Sequence, residues 1–207
     1  MTDNLNTVKL NVKNAPAKRY HHGDLRDALM AAGEDVLRER GVAGFSLREA
    51  ARRAGVSPAA PAHHFGDARG LLTAIATLGF NSLSQALIAA NQAGGDDRRA
   101  RILAQGHAYV RYAMTQPARF DLMWQHDLLN ADDLDFRAAG FQAFSLLHEL
   151  VTGEPLTQAD MQDKLPSDPR VIATWSVVHG FAVLARQGAF DPDTPDLLDG
   201  VLGSLQI

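Results

Sequence analysis

The sequence predicts an all-α protein of about nine helices, with a small three-helix module at the N-terminal end and a larger helical body behind it. Two patterns carry that reading. After about residue 22, apolar residues recur three and four positions apart along almost every segment, and β-branched runs bounded by hairpin turns are missing. A third observation is size: 207 residues, 46% of them hydrophobic, can bury a core and still divide into two modules.

The elements follow in order. Leu25, Ala28, Leu29, Ala32, Val36 and Leu37 share one face of a first helix from about 23 to 40, and Gly41 is placed to end it. In "FSLREAARRAG", Ser46 can cap a short second helix, with Glu49 returning the bond three residues on, and Gly55 stops it. Ser57 followed by Pro58 reads as the cap and first position of a third helix reaching Phe65. Pro61 falls in its first turn, where a missing amide costs little. Gly66 then breaks the chain and Asp67 can cap a long helix to about Ala90. Later breaks at "NQAGGDD", "TQPARF", "LLNADD", Thr152 to Pro169 and "FDPDTP" leave helices near 97–115, 117–126, 132–150, 169–187 and 195–205. The expected organisation is a mobile polar arm over residues 1–19, a compact module over 20–66 and a body over 67–207.

Composition narrows the chemistry. With no cysteine there is no disulfide framework, thiolate zinc site or cysteine nucleophile. The chain has no uninterrupted apolar run of membrane-helix length, and its polar start lacks the core of a signal peptide, so the expectation is a soluble cytoplasmic protein with no membrane partner. Residues 1–69 carry 11 Lys and Arg against 8 Asp and Glu, while the rest carries 9 against 16. The basic end also holds His21, His22, His63 and His64. That asymmetry suits a DNA-facing module on an acidic body.

Two helices of about eight residues joined by "AGVS" form the bend of a helix-turn-helix, in which the second helix enters the major groove. Ala59, Ala60 and Ala62 make that second helix small enough for close backbone approach, while His63 and His64 can reach bases or phosphates. Ser46 and Ser57 suit phosphate positioning as well as capping, and one of the two histidines is expected to pack inward beside Phe65. The segment "HGDLRDALMAAGEDVLRERGVAGFSLREAARRAGVSPAAPAHHFGDARGLL" resembles the DNA-binding domain of the TetR family of regulators. The resemblance implies a DNA-contacting set of Ser46, Arg48, Ser57, Pro58, Ala59, Ala60, His63, His64 and Arg69, joined by the arm residues Arg19, Tyr20, His21 and His22. Ala62 stands where the family usually has an aromatic residue and Ala68 where it has a basic one; Arg69 is the candidate substitute for the lost charge.

In the body, "QPARFDLMW" and "WSVVHGFAVL" resemble the TetR subgroup whose C-terminal domain is known for a Trp-His-Gly signature, here Trp175, His179 and Gly180. The resemblance implies a small-molecule cavity among the central helices and a homodimer built on the last two. The expected cavity residues are His107, Tyr109, Met123, Trp124, Phe144, Trp175 and His179; the expected interface is Trp175, Gly180, Ala182, Val183, Val201, Leu202 and Leu205. Gly106 leaves room beside His107. The functional expectation is a non-enzymatic, homodimeric repressor released from operator DNA by an effector, with no cofactor and no metal. Adjacent histidines diverge by about 100° around a helix, and no His–Glu helical metal motif is present. The competing reading, motivated by Ala62 and Ala68, is a related protein whose DNA binding is lost or nonspecific, serving a nucleoid-associated structural role.

Overall fold

The structure is a computed structural model and describes residues 22–157, 159–161 and 168–205, with side chains from Leu25 onward. The arm and its Arg19, Tyr20 and His21 lie outside the described residues, as does the side chain of His22. The elements are α1 (His22–Arg40), α2 (Leu47–Arg53), α3 (Ala60–Phe65), α4 (Ala68–Ala93), α5 (Arg98–Thr115), α6 (Pro117–Met123), a 3-10 turn (His126–Leu128), α7 (Leu134–Thr152), α8 (Pro169–Arg186) and α9 (Leu197–Gly203). Every regular element among the described residues is helical.

Local chemistry sets most of the boundaries. Asp67 accepts the Gly70 amide at 2.9 Å to open α4, and Asp97, Asp133 and Asp168 cap α5, α7 and α8 in the same way. Gly55 and Gly66, at φ +69° and +76°, supply the left-handed turns that close α2 and α3. Ser46 caps α2, accepting from Glu49 N at 3.4 Å. Glu49 turns its carboxylate to Arg52 (2.8 Å) and Arg53 (3.0 Å), which are closer charge partners than the Ser46 amide.

Ser57 and Pro58 do not start α3. The Ala60 amide closes a turn onto Ser57 O at 3.0 Å, Ala59 occupies the cap position, and the fully buried Pro61 takes the second helical position. Two prolines compete for one first turn, and the buried one sets the register. The helix after Pro117 stops at Met123, short of His126, where three-residue hydrogen bonding takes over at Leu128 N→Gln125 O. Asp196 at φ +58° delays α9 to Leu197.

Helix α4 is the axis of the molecule. It packs on α7 and α5 along most of its length, on α6 at its middle, and on α1 and α3 near its start. Leu71, Ile75 and Ala76 have no exposed surface, and Leu83 almost none. It is long and apolar enough to cross a membrane by length and composition, and more than half of that window is buried in the bundle, as expected of a core helix. Tyr112 of α5 donates to Gly79 O on α4 at 2.9 Å, and Met123 packs so close that a Cβ on Gly79 would stand 2.8 Å from its sulfur. Helix α8 packs on α5, and α9 lies against both. Gly106 receives the Leu202 side chain, so the space beside His107 is filled from α9.

The joint between α3 and α4 is equally close. A Cβ on Gly70 would overlap the carbonyl oxygen of Phe65, a backbone atom that cannot swing aside. Gly70→Ala should therefore cost about 1–3 kcal/mol and lower the melting temperature followed by circular dichroism. An unchanged melting temperature would show that the joint has slack.

Candidate functional site

The helix pair α2–α3 presents a polar, partly basic surface. Arg48, Arg52, Ser57, Pro58, Ala59, Ala62 and His63 are exposed, while Ser46, Ala60 and His64 are half-buried. His64 is the histidine that turns inward, its ring 6.3 Å from that of Phe65. The Arg26 guanidinium of α1 also lies over the Phe65 ring, 5.3 Å from its centroid, so α1 contacts the end of α3. Behind α2, Arg53 bridges Glu39 of α1 and Glu49 of its own helix, at 2.5 and 3.0 Å. Hydrogen bonds from Arg52 and Arg53 pull the Glu49 carboxyl down to about 2, from an ordinary 4.5.

Arg69 sits at the start of α4, and its guanidinium is turned to the body. It donates to Leu129 O at 2.7 Å and to Asp127 O at 2.9 Å, around the 3-10 turn. One helical turn on, Thr73 Oγ1 donates to Arg69 O at 2.7 Å and accepts the Asn130 amide at 2.9 Å. On another side, Arg119 of α6 grips Glu34 of α1 through two 2.9 Å hydrogen bonds, both side chains mostly buried. The α1–α3 unit is thus joined to α4 and tied to α6 through Glu34, while the start of α4 is itself tied to the 127–130 segment.

Between α4, α5, α7 and α8 lies a cavity of about 360 Å³. Phe80, Leu83 and Leu87 of α4 form one wall; Trp124, Phe136, Phe144 and Trp175 make much of the remainder aromatic. Its polar groups are few: Gln105, Tyr109 and Thr174 on the wall, with exposed His126 and Arg137 at the opening. Tyr109 O–H lies 2.8 Å from His179 Nδ1. Burial holds the His179 pKa below its ordinary value and pushes the Tyr109 phenol well up, the approach of the Trp175 indole N–H working against that rise. Burial thus favours the neutral imidazole, and Nδ1 and the phenol share this one hydrogen bond. His179 also stacks on Phe120 at 5.5 Å and meets Trp124 edge-on at 4.9 Å.

The family model described as "Bacterial regulatory proteins, tetR family" matches residues 29–75, spanning α2, α3 and the joint. The model described as "Tetracyclin repressor-like, C-terminal domain" matches residues 102–205, half of the chain. The chain belongs to the TetR family. It is accordingly a transcription regulator of the DNA-binding, non-enzymatic kind. Among solved structures, a protein of unknown function from Rhodococcus sp. RHA1 is 34% identical, with a TM-score of 0.71 over 90% of this chain and 94% of its own. A TetR family transcription regulator from Marinobacter aquaeolei VT8 is 18% identical, with a TM-score of 0.63 over 86% of this chain and 92% of its own. A regulatory protein of the tetR family from Rhodococcus RHA1 is 17% identical, also at 0.63, over 87% and 96%. No curated protein matches.

Against the family expectation, the structure distributes the candidate residues as follows. Tyr109, Trp124, Phe144 and Trp175 line the cavity. His107 does not: one residue past Gly106, it turns outward and pairs with Asp199 of α9 at 2.5 Å. Met123 is buried beside Gly79, and His179 stands behind Tyr109 as its hydrogen-bond partner. Of the expected interface, Ala182 and Leu202 are core residues of the protomer, with Leu202 spent on Gly106. Val183, Val201 and Leu205 are half-buried against that core, and Gly180 faces open space. Sequence reasoning missed Gln105, Glu34 and the inward engagement of Arg69.

Two outcomes are expected. Arg69→Met should lower stability by about 1–3 kcal/mol by removing two charge-assisted bonds, yet leave the salt dependence of DNA binding unchanged; a slope reduced by about one ion per subunit would instead mark Arg69 as a phosphate contact. For Glu49, whose carboxyl is depressed in the folded state, the stabilisation is complete above pH 4.5 and is lost as pH falls towards about 2. Acid titration of Glu49→Gln should show a shallower stability loss across that window than the parent protein, and identical acid profiles would contradict the Arg52–Glu49–Arg53 cluster.

Proposed function

We propose that this regulator is a homodimeric repressor that binds operator DNA through α2 and α3 and leaves it when a small, largely apolar effector fills the cavity. The observation that carries the reading is that one helix, α4, supplies Phe80, Leu83 and Leu87 to the cavity wall and, through Asp67 and Gly70, the joint that carries α3. Filling the cavity loads the same rod that orients the DNA-facing helices, and tilting that rod changes the distance between them in a dimer. Ser46, Arg48, Ser57, Pro58, Ala59, Ala60 and His63 are the described residues offered to DNA, backbone and small side chains positioning, His63 reading. Arg69 stands apart from that set because two of its N–H donors bond Leu129 O and Asp127 O of the body.

The dimer reading rests on α8. Its inner face buries Val171, Thr174, Val178, Ala182 and Ala185, while its outer face carries Ile172 at 38% and Leu184 at 48% exposure around Ala173, Ser176 and Gly180. A helix apolar on both sides calls for a partner on the second, and small residues at 173, 176 and 180 allow a second helix to approach closely. Leu184→Glu should convert the dimer to monomer by sedimentation; a dimer that persists would move the interface elsewhere.

The test of function is binding to the DNA upstream of the protein's own gene across a salt series, wild type beside His63→Ala. Sequence-selective binding, weakened about tenfold or more by the variant, is the expected result. Binding that is weak and indifferent to sequence would favour the nonspecific, nucleoid-associated reading.

A further inference from the structure

On the reading that this cavity is the effector site, we propose that its occupant is an uncharged, ring-bearing carbonyl compound of about a dozen non-hydrogen atoms, whose oxygen accepts a hydrogen bond from the Gln105 amide. Size sets the first limit. A volume of about 360 Å³ holds about twelve non-hydrogen atoms at the ~30 Å³ that each water fills in the liquid. The walls set the second, since Phe80, Trp124, Phe136, Phe144 and Trp175 offer ring faces and edges to a flat apolar body.

Charge is excluded by what the wall lacks. No carboxylate stands among the described lining residues, so an ammonium would meet aromatic faces but no counter-charge to offset its lost hydration. Among the described lining residues the one side chain that carries a full positive charge is Arg137, exposed at the opening beside His126 and already donating to Met161 O at 3.0 Å. A carboxylate drawn into the interior would leave that cation behind and lose its own hydration.

The polar anchor follows by accounting for each interior group. Thr174 donates to Arg170 O at 2.7 Å, and Tyr109 is held by His179 at 2.8 Å. Gln105, with 4% of its surface exposed, is different: its amide nitrogen is buried with no hydrogen-bond partner. The Trp124 indole N–H is a second buried donor without one. Buried polar groups are nearly always paired, and two orphaned donors on the residues of one cavity call for an acceptor from outside the chain. A carbonyl oxygen has two lone pairs, accepts without carrying charge, and suits an amide that can turn about its last bond to bring its N–H to the ligand.

The chain has two tryptophans, both in the cavity wall, so their fluorescence reports occupancy directly. The probes are butyrophenone, butylbenzene, 4-phenylbutyrate and 4-phenylbutylamine, which share a phenyl ring and a four-carbon chain and differ in polar group. Butyrophenone should bind about tenfold more tightly than butylbenzene, with the acid and the amine weaker than either. Gln105→Met, repeated as Gln105→Leu, should bring butyrophenone down to the level of butylbenzene while leaving butylbenzene binding in place, which also shows that the variants are folded. Tighter binding of the acid or the amine overturns the proposal, as does a Gln105 substitution that weakens ketone and hydrocarbon alike. If all four probes leave the fluorescence and the heat of mixing unchanged at millimolar concentration, the cavity reading itself falls and takes this one with it.

Discussion

Helix α4 must be covered on nearly every side, and the remainder of the molecule is arranged by that need. Residues Ala68 to Ala93 are too apolar to face water, so α5, α6 and α7 close over the body half while α1 and α3 close over the start. This single burial requirement makes a DNA-facing unit and a ligand-sized cavity share a wall. Neither could shift against α4 without exposing leucine, isoleucine or phenylalanine surface, at about 25 cal/mol for each Å² uncovered.

Apolar packing alone is non-directional, and it would let the small unit and the start of α4 roll against the rest of the body. The polar ties remove that freedom. Arg69 holds two carbonyls, Thr73 couples the Arg69 carbonyl to the Asn130 amide, and Glu34 fixes α1 to Arg119 of α6. All are charge-assisted or partly buried, the conditions under which a hydrogen bond has directional strength. Met123, Phe120 and Trp124 extend the chain of contact from α6 to the cavity, with Phe120 and Trp124 6.2 Å apart ring to ring. The Trp-His-Gly signature acquires a physical meaning in this setting. Trp175 walls the cavity, His179 one turn later is hydrogen-bonded to the Tyr109 phenol, and Gly180 opens the outer face of α8.

Helix count, order and most boundaries were legible because they depend on chemistry within four residues. Asp67, Asp97, Asp133 and Asp168 announce their helices by capping, and Gly55 and Gly66 announce their ends. The start of α3 was not legible, since Pro58 and Pro61 both suit a first turn and only burial of Pro61 decides between them. Among site residues, the aromatic density alone reads as core and the family resemblance is what points to a cavity at Tyr109, Trp124, Phe144 and Trp175, whereas His107, expected there too, pairs with Asp199, 92 residues away. Arg69 likewise finds its partners 58 and 60 residues on, beyond the reach of local pattern. Gln105 did leave a signal: it shares an apolar stripe with Ile102, Tyr109, Tyr112 and Ala113, all buried, and a glutamine on such a stripe has a reason to be there.

Through Arg69 and Thr73 the start of α4 and the 127–130 segment move as one body. Native-state hydrogen exchange tests it most directly, by comparing the Asn130 amide, bound to Thr73 Oγ1, with the Leu71 amide, bound to Asp67 O in the first turn of α4. The two amides should open with the same free energy and the same denaturant dependence. An Asn130 amide that exchanges freely while the first turn of α4 stays protected would contradict it.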